Sequence, residues 1–200
     1  MVLAICALSA WGQSDDMFYK IEAGATFGKF SAKLNPLSSS IPGEVKSTMG
    51  VGWMARAMAQ VYMTNTVGVE AGLGLQQLNS SNSLGAIDVD PDKWKVLSLE
   101  LPVRATFRMD VGMVTINPSV GLFFSYGLKA TDKDLGLSLY SAPINVLKHF
   151  NVGIDAGLDF ILTDLIKLGL GYQHGWVNMS KYQSYKLKAN VLSVSLGVLF

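Results

Sequence analysis

An all-β fold, and within it an eight-stranded antiparallel up-and-down β-barrel, is what three features of this 200-residue chain predict. Apolar residues recur at every second position through eight separate segments, the period of a strand with one apolar face. The connections between those segments alternate between long polar stretches and tight turns. Half of the residues are apolar but only 16% are charged, against about 25% in ordinary soluble domains. So little charge cannot cover a water-facing surface, and the barrel is therefore expected to be transmembrane.

In chain order, "MVLAICALSAWGQSDD" is an apolar run closed by the small-x-small triplet Ala10-Trp11-Gly12, the pattern of a cleaved secretory signal peptide over residues 1–13. It is too short to cross a bilayer as a helix, and it lacks a basic leading region, as a trimmed or misassigned start would. Cys6 lies inside it, and the large Ile5 argues against a lipoprotein cleavage site. Residues 14–200 then form a single barrel domain without cysteine, which excludes disulfides, thiolate metal sites and a cysteine nucleophile.

The first strand is "FYKIEAGATFGKF", with Tyr19, Ile21, Ala23, Ala25 and Phe27 on one face and Lys20, Glu22, Gly24, Thr26 and Gly28 on the other. "GVGWMARAMAQVY" repeats the pattern more weakly. "VGVEAGLGLQ", "LSLELPVRATFR", "VTINPSVGLFFSYGLK", "FNVGIDAGLDF", "IKLGLGYQHGW" and "NVLSVSLGVLF" complete the set. Polar gaps at about residues 31–48, 78–93, 130–148 and 177–186 alternate with turns near Asn65, Asp110 and Asp164. An even number of strands places both termini at the end with the tight turns, the periplasmic side of an outer-membrane barrel.

The two faces are assigned by the cost of misplacing charge. A Lys or Arg facing lipid at the midplane costs about 2–4 kcal/mol, so Lys20, Glu22, Arg56, Glu70, Glu100, Arg104, Arg108, Asp155, Asp159 and Lys167 are expected to point into the lumen. Strand glycines share that face, among them Gly24, Gly52, Gly72, Gly121, Gly153, Gly169 and Gly197. Eight strands leave an interior only wide enough for side chains, so small residues must make room for large ones. Five cations opposite five carboxylates predict a salt-bridged plug and no open conduit. Tyr19, Tyr62, Phe107 and Phe160 near the turns, and Trp53, Trp94, Tyr126, Phe150 and Trp176 near the loops, read as two interfacial girdles. Lys29 and Lys188 have lipid parity but lie close enough to the loops to snorkel.

Several motifs fail on inspection. "DVDPDK" spaces Asp88, Asp90 and Asp92 like the start of a calcium loop, but Lys93 and Leu99 occupy the places of the required Gly and Glu. "YQHGWVNMS" offers His174 and Ser180 for a lipid hydrolase without an orienting carboxylate. "GLGL" lacks the strand-to-helix setting of a dinucleotide site. No cofactor or metal is implied. The net charge of +1 with scattered basic residues excludes a nucleic-acid partner.

The segments "LSLELPVRATFR", "NPSVGLFFSYG" and "LGLGYQHGWVNMS" resemble the outer-membrane β-barrel domain family common in Bacteroides-type bacteria, which includes the PorT-like proteins. The resemblance covers the mature chain. It implies a small barrel surrounded by outer-membrane lipid, with some members linked to secretion partners or surface interaction. With no catalytic constellation in the sequence, the chain is expected not to be an enzyme but to act structurally or by surface interaction through four extracellular loops. The resemblance also implies that the terminal "LGVLF", with Leu196, Val198 and Phe200 on one face, is the signal read by the barrel-insertion machinery. Two rivals use the same alternation: a soluble lipocalin-like carrier with the faces reversed, and a barrel-embedded lipid hydrolase.

Overall fold

The computed structural model describes residues 17–34, 45–84, 92–132, 136–141, 147–162, 165–181 and 185–200. The expected signal peptide and Asp88 and Asp90 lie outside them. The strands are β1 (Met17–Leu34), β2 (Val45–Tyr62), β3 (Val67–Leu84), β4 (Asp92–Phe107), β5 (Met109–Val111), β6 (Val114–Asp132), β7 (Phe150–Leu162), β8 (Ile166–Gly175) and β9 (Tyr185–Leu199). Both β4 and β5 pair with β6, so together they make one stave interrupted at Arg108. Each neighbouring pair is antiparallel, and pairing of β1 with β9 closes the sheet into an eight-stave barrel. Closure removes every unpaired edge, the condition for a strand to exist inside a bilayer.

Side chains sort as the parity requires. Ile21, Val51, Leu73, Leu101, Val120, Leu170 and Leu196 are exposed on the outer wall, Leu196 to 63%. Lys20, Glu22, Glu70, Glu100, Asp155 and Lys167 are buried to 3% exposure or less. Charge inside and aliphatic surface outside is the inverse of a soluble carrier, whose apolar face would enclose a ligand.

The tight turns have local causes. Val111 pairs with Val114 across a two-residue loop, and Gly112 takes φ 64°, which only glycine adopts freely. At residues 63–66 the Thr64 hydroxyl accepts hydrogen bonds from the amides of Thr66 and Val67, holding the turn from β2 into β3.

At the opposite end the strands run further than the polar gaps suggested: β1 continues to Leu34, β2 starts at Val45, β3 continues to Leu84 and β4 starts at Asp92. Ladder pairing above the lipid slab needs no apolar outer face, so alternation fades before the strand does. The rim is uneven. β1, β2 and β3 have 18 residues each, whereas β7 has 13 and β8 has 10. The connecting segments fill the low side with strand-like bonds, Leu139 N to Ala130 O (2.9 Å), Leu147 N to Leu139 O (3.1 Å), Lys148 N to Met179 O (2.7 Å) and Met179 N to Leu187 O (2.8 Å).

Those bonds carry Leu139, Leu147 and Met179 inward onto Phe30, Leu78, Val96, Ala130, Leu187, Ala189 and Val191, closing the loop end with an apolar lid. The lumen therefore has two layers, polar below and apolar above. Trp94 belongs to the second layer: its ring packs 5.8 Å from that of Phe30 inside the barrel and not in the outer girdle. Tyr62 also departs from the girdle, facing the mouth at the turn end, where its hydroxyl accepts from Asn117 Nδ2 at 3.2 Å. Both even-numbered positions continue the inward parity of their strands.

Candidate functional site

The charged layer is built by strand alternation alone. Lys20 and Glu22 come from β1, Arg56 from β2, Glu70 from β3, Glu100 and Arg104 from β4, Asp155 and Asp159 from β7 and Lys167 from β8. Their contacts form one alternating series. Asp155 meets Arg104 at 3.6 Å, and Arg104 meets Glu70. Glu70 meets Lys20, and Lys20 meets Asp159 at 3.3 Å. Asp159 meets Lys167 at 3.0 Å, and Lys167 meets Glu22. Glu22 meets Arg56 at 3.8 Å, and Arg56 meets Glu100 at 2.9 Å.

The series begins and ends on a carboxylate. Gln173 of β8 closes it into a ring, its Nε2 lying 3.4 Å from both Glu100 Oε2 and Asp155 Oδ2, while Gln76 Nε2 donates to Gln173 Oε1 at 3.2 Å. Ser195 supports the other side by donating to Glu22 at 3.1 Å. Chains of this kind keep charges in a dry interior by setting each cation between two carboxylates.

Arg108 departs from the expected set. It lies between β4 and β5 at the turn end, where its Nε donates to Asp110 at 3.0 Å and its guanidinium sits 5.9 Å from the Tyr62 ring centroid. Its side chain is 32% exposed, so it pairs locally at the mouth instead of entering the lumen. Arg108 keeps the inward parity but lines the turn-end mouth with Gln60, Tyr62 and Thr115, and its ion pair is with Asp110 and not with the ring. Among the described residues the ring then holds four cations and five carboxylates.

Sequence reasoning missed Gln76, Gln173 and the lid. Both glutamines have inward parity, which was a usable signal; Leu139, Leu147 and Met179 lie in connections without a strand period that read as gaps. The lid is latched at the wall. The Tyr140 ring stacks on His149 at 4.0 Å, His149 stacks on Tyr126 at 5.2 Å, and His149 Nδ1 lies 2.7 Å from the Gly127 carbonyl oxygen. A Cβ on Gly127 would fall 1.7 Å from the Tyr140 hydroxyl, so this glycine is the seat of the latch. Burial pushes the Tyr140 hydroxyl up to about 12, leaving it neutral.

At the C-terminus Leu196, Val198 and Phe200 are exposed on the outer wall. Phe200 completes the seam: Tyr19 N donates to Phe200 O at 2.8 Å, Phe200 N to Tyr19 O at 3.0 Å, and the two rings stack at 6.1 Å.

A closed antiparallel barrel with an aliphatic exterior and an ion-paired interior defines an integral membrane barrel of the bacterial outer-membrane type. The chain belongs to the outer membrane protein beta-barrel domain family, whose model matches residues 1–200; it is an outer-membrane protein, and lipid surrounds it. No curated protein sequence matches it. Among solved structures it is similar to the outer membrane protein OprG from Pseudomonas aeruginosa, with 12% identity over 92% of this chain and 96% of the other and a TM-score of 0.53. It is also similar to the outer membrane protein AlkL in lipid bilayers, with 13% identity over 90% of each chain and a TM-score of 0.51. At such identities the likeness is one of fold.

Proposed function

We propose that this protein is a non-catalytic surface element, anchored by a sealed barrel and acting through the long connections at its loop end toward partners outside the cell, a secretion partner among them. The observation that carries this reading is the double closure of the lumen, by the ion-pair ring and by the apolar lid. Among the described residues the interior leaves no wide conduit, and the parts of the chain left to act are those beyond the membrane. The two hydrolase candidates meet other groups: His174 Nδ1 lies 2.6 Å from Asn190 Oδ1, and the backbone of Ser180 pairs with that of Leu147 within the lid.

In this reading residues 1–13 are a cleaved signal peptide, residues 14–200 are the barrel, and both termini are periplasmic. The even stave count and the meeting of Tyr19 with Phe200 at the turn end favour that orientation. Within the family we place the chain among the PorT-like barrels of Bacteroides-type bacteria, on the motifs of β4, β6 and β8. Two measurements on one preparation test the assignment. The folded protein should migrate differently in a detergent gel before and after boiling, and a protease added to intact cells should cut within 133–146 but not near Met17. Cleavage near Met17 on intact cells reverses the orientation.

The terminal strand supports a second element of the proposal, recognition of Leu196, Val198 and Phe200 by the insertion machinery. Removing Phe200 deletes two seam hydrogen bonds and a ring stack. Membrane-inserted protein in cells is expected to fall about tenfold, of which a net loss of about 1 kcal/mol per bond accounts for part. Refolding the purified variant into detergent separates the two causes: a loss confined to cells indicates failed recognition, and an equal loss in vitro means the residue only closes the seam.

A further inference from the structure

We infer that the lumen binds one small monovalent cation, of the sodium class, in the cavity between the ion-pair ring and the apolar lid. The ring alternates anion and cation through nine side chains and fails to alternate at one place. There Glu100 and Asp155 face each other across Gln173, whose amide carries no charge. The described members of the ring sum to one negative charge, four cations against five carboxylates. An uncompensated charge in a dry interior is costly, so the site draws a counter-charge.

Against this break the barrel encloses a cavity of about 20 Å³, lined on its polar side by Gln76, Ser98, Glu100, Asn151 and Gln173. That volume admits a single water-sized particle, for which about 10–15 Å³ is the lower limit. Asn151, a lining residue, is 3% exposed, and its Oδ1 accepts no hydrogen bond. A neutral carbonyl oxygen without a donor, beside a carboxylate in excess, is an oxygen ligand set for a hard cation. Among the described residues no group of three His, Cys, Asp or Glu gathers as a divalent or transition metal would need. One carboxylate with neutral oxygens suits a single positive charge.

The full chain, folded in detergent micelles, is heated at constant ionic strength while sodium chloride replaces choline chloride, choline being too large for the cavity. The unfolding midpoint is expected to rise saturably with sodium, by about 5 °C at saturation. Gln173→Lys supplies the missing cation from the wall itself, and this variant should show the higher midpoint in choline alone and no response to sodium. Glu100→Gln should also lose the response. A wild-type midpoint that is the same in sodium and in choline overturns the proposal and assigns the neutralisation to a proton on a carboxyl. A sodium response that survives unchanged in Gln173→Lys overturns it as well, placing the ion elsewhere.

Discussion

Replacing Glu70 with Leu is expected to destabilise the folded barrel by about 3–5 kcal/mol, the cost of leaving buried charges without their partner. Glu70 is the joint of the ring, touching Lys20 on one side and Arg104 on the other. Its loss therefore strands one cation entirely on Asp159 and the other on Asp155 at 3.6 Å. Urea unfolding of the refolded protein in lipid vesicles, followed by the heat-dependent gel shift, measures the change. The quadruple substitution Glu70→Leu, Lys20→Met, Arg104→Met and Asp155→Leu should recover much of it, because it removes the end of the series from Asp155 to Lys20 as a unit, and a buried ion cluster exchanged whole for apolar side chains is often neutral. A loss under about 1 kcal/mol for Glu70→Leu alone would mean the ring is not the dry, coupled unit its geometry describes.

The second large effect is expected at Gly24, on the seam between β1 and β9. A Cβ there would stand 2.0 Å from the Val194 carbonyl oxygen and 2.7 Å from Ser195 Cα. These atoms belong to the backbone that closes the barrel, so no side-chain rotation relieves the clash. Gly24→Val is expected to cost about 3 kcal/mol, the upper range of overpacking, and to shift most of the protein to the unfolded gel position. Gly112, by contrast, has no atom within 4 Å of its Cβ position, and its requirement is conformational, φ 64° in a two-residue turn. Gly112→Asn should therefore be tolerated within about 1 kcal/mol, since Asn accepts the left-handed region. If Gly24→Val folded as readily as Gly112→Asn, close approach of the staves could not be the reason for the inward glycines.

These two sites show how far alternation carries an inference. The inward placement of Glu70 and Gly24 follows from period two and from the cost of charge in lipid, and needs no knowledge of which strand lies beside which. The identity of the partners does not follow. Lys20 and Asp159 are 139 residues apart and meet because β1 and β7 face each other across a lumen one side chain wide. Parity likewise admitted Arg108 to the ring, but its height at the turn-end mouth sets it beside Asp110 and Tyr62 instead. The count of charges, and with it the break at Gln173, thus passed from an apparent balance to an excess of one carboxylate.

The upper layer was harder to read for a different reason. Above the lipid slab both faces of a strand can be polar, so the ends of β1 to β4 carry no alternating signal. Leu139 and Leu147 lie among other apolar residues, Leu137, Tyr140, Ile144 and Val146 among them, and Met179 stands between polar neighbours, so no period marks these three as the ones that turn inward. They become a lid because β7 and β8 are short and the facing wall is tall. The low side opens toward apolar positions of the other staves, and burial there removes those side chains from water.

By itself the sequence determined the class of fold, the number of staves, the face each side chain takes and the membrane setting. All of these are properties of one strand and its solvent, written in a period of two. The partners within the ring, the excess carboxylate at Gln173 and the lid over the lumen were decided only by the tertiary structure. Those depend on which staves the closed sheet sets opposite one another and at what height, and a strand's own alternation is the same in every register that keeps its faces.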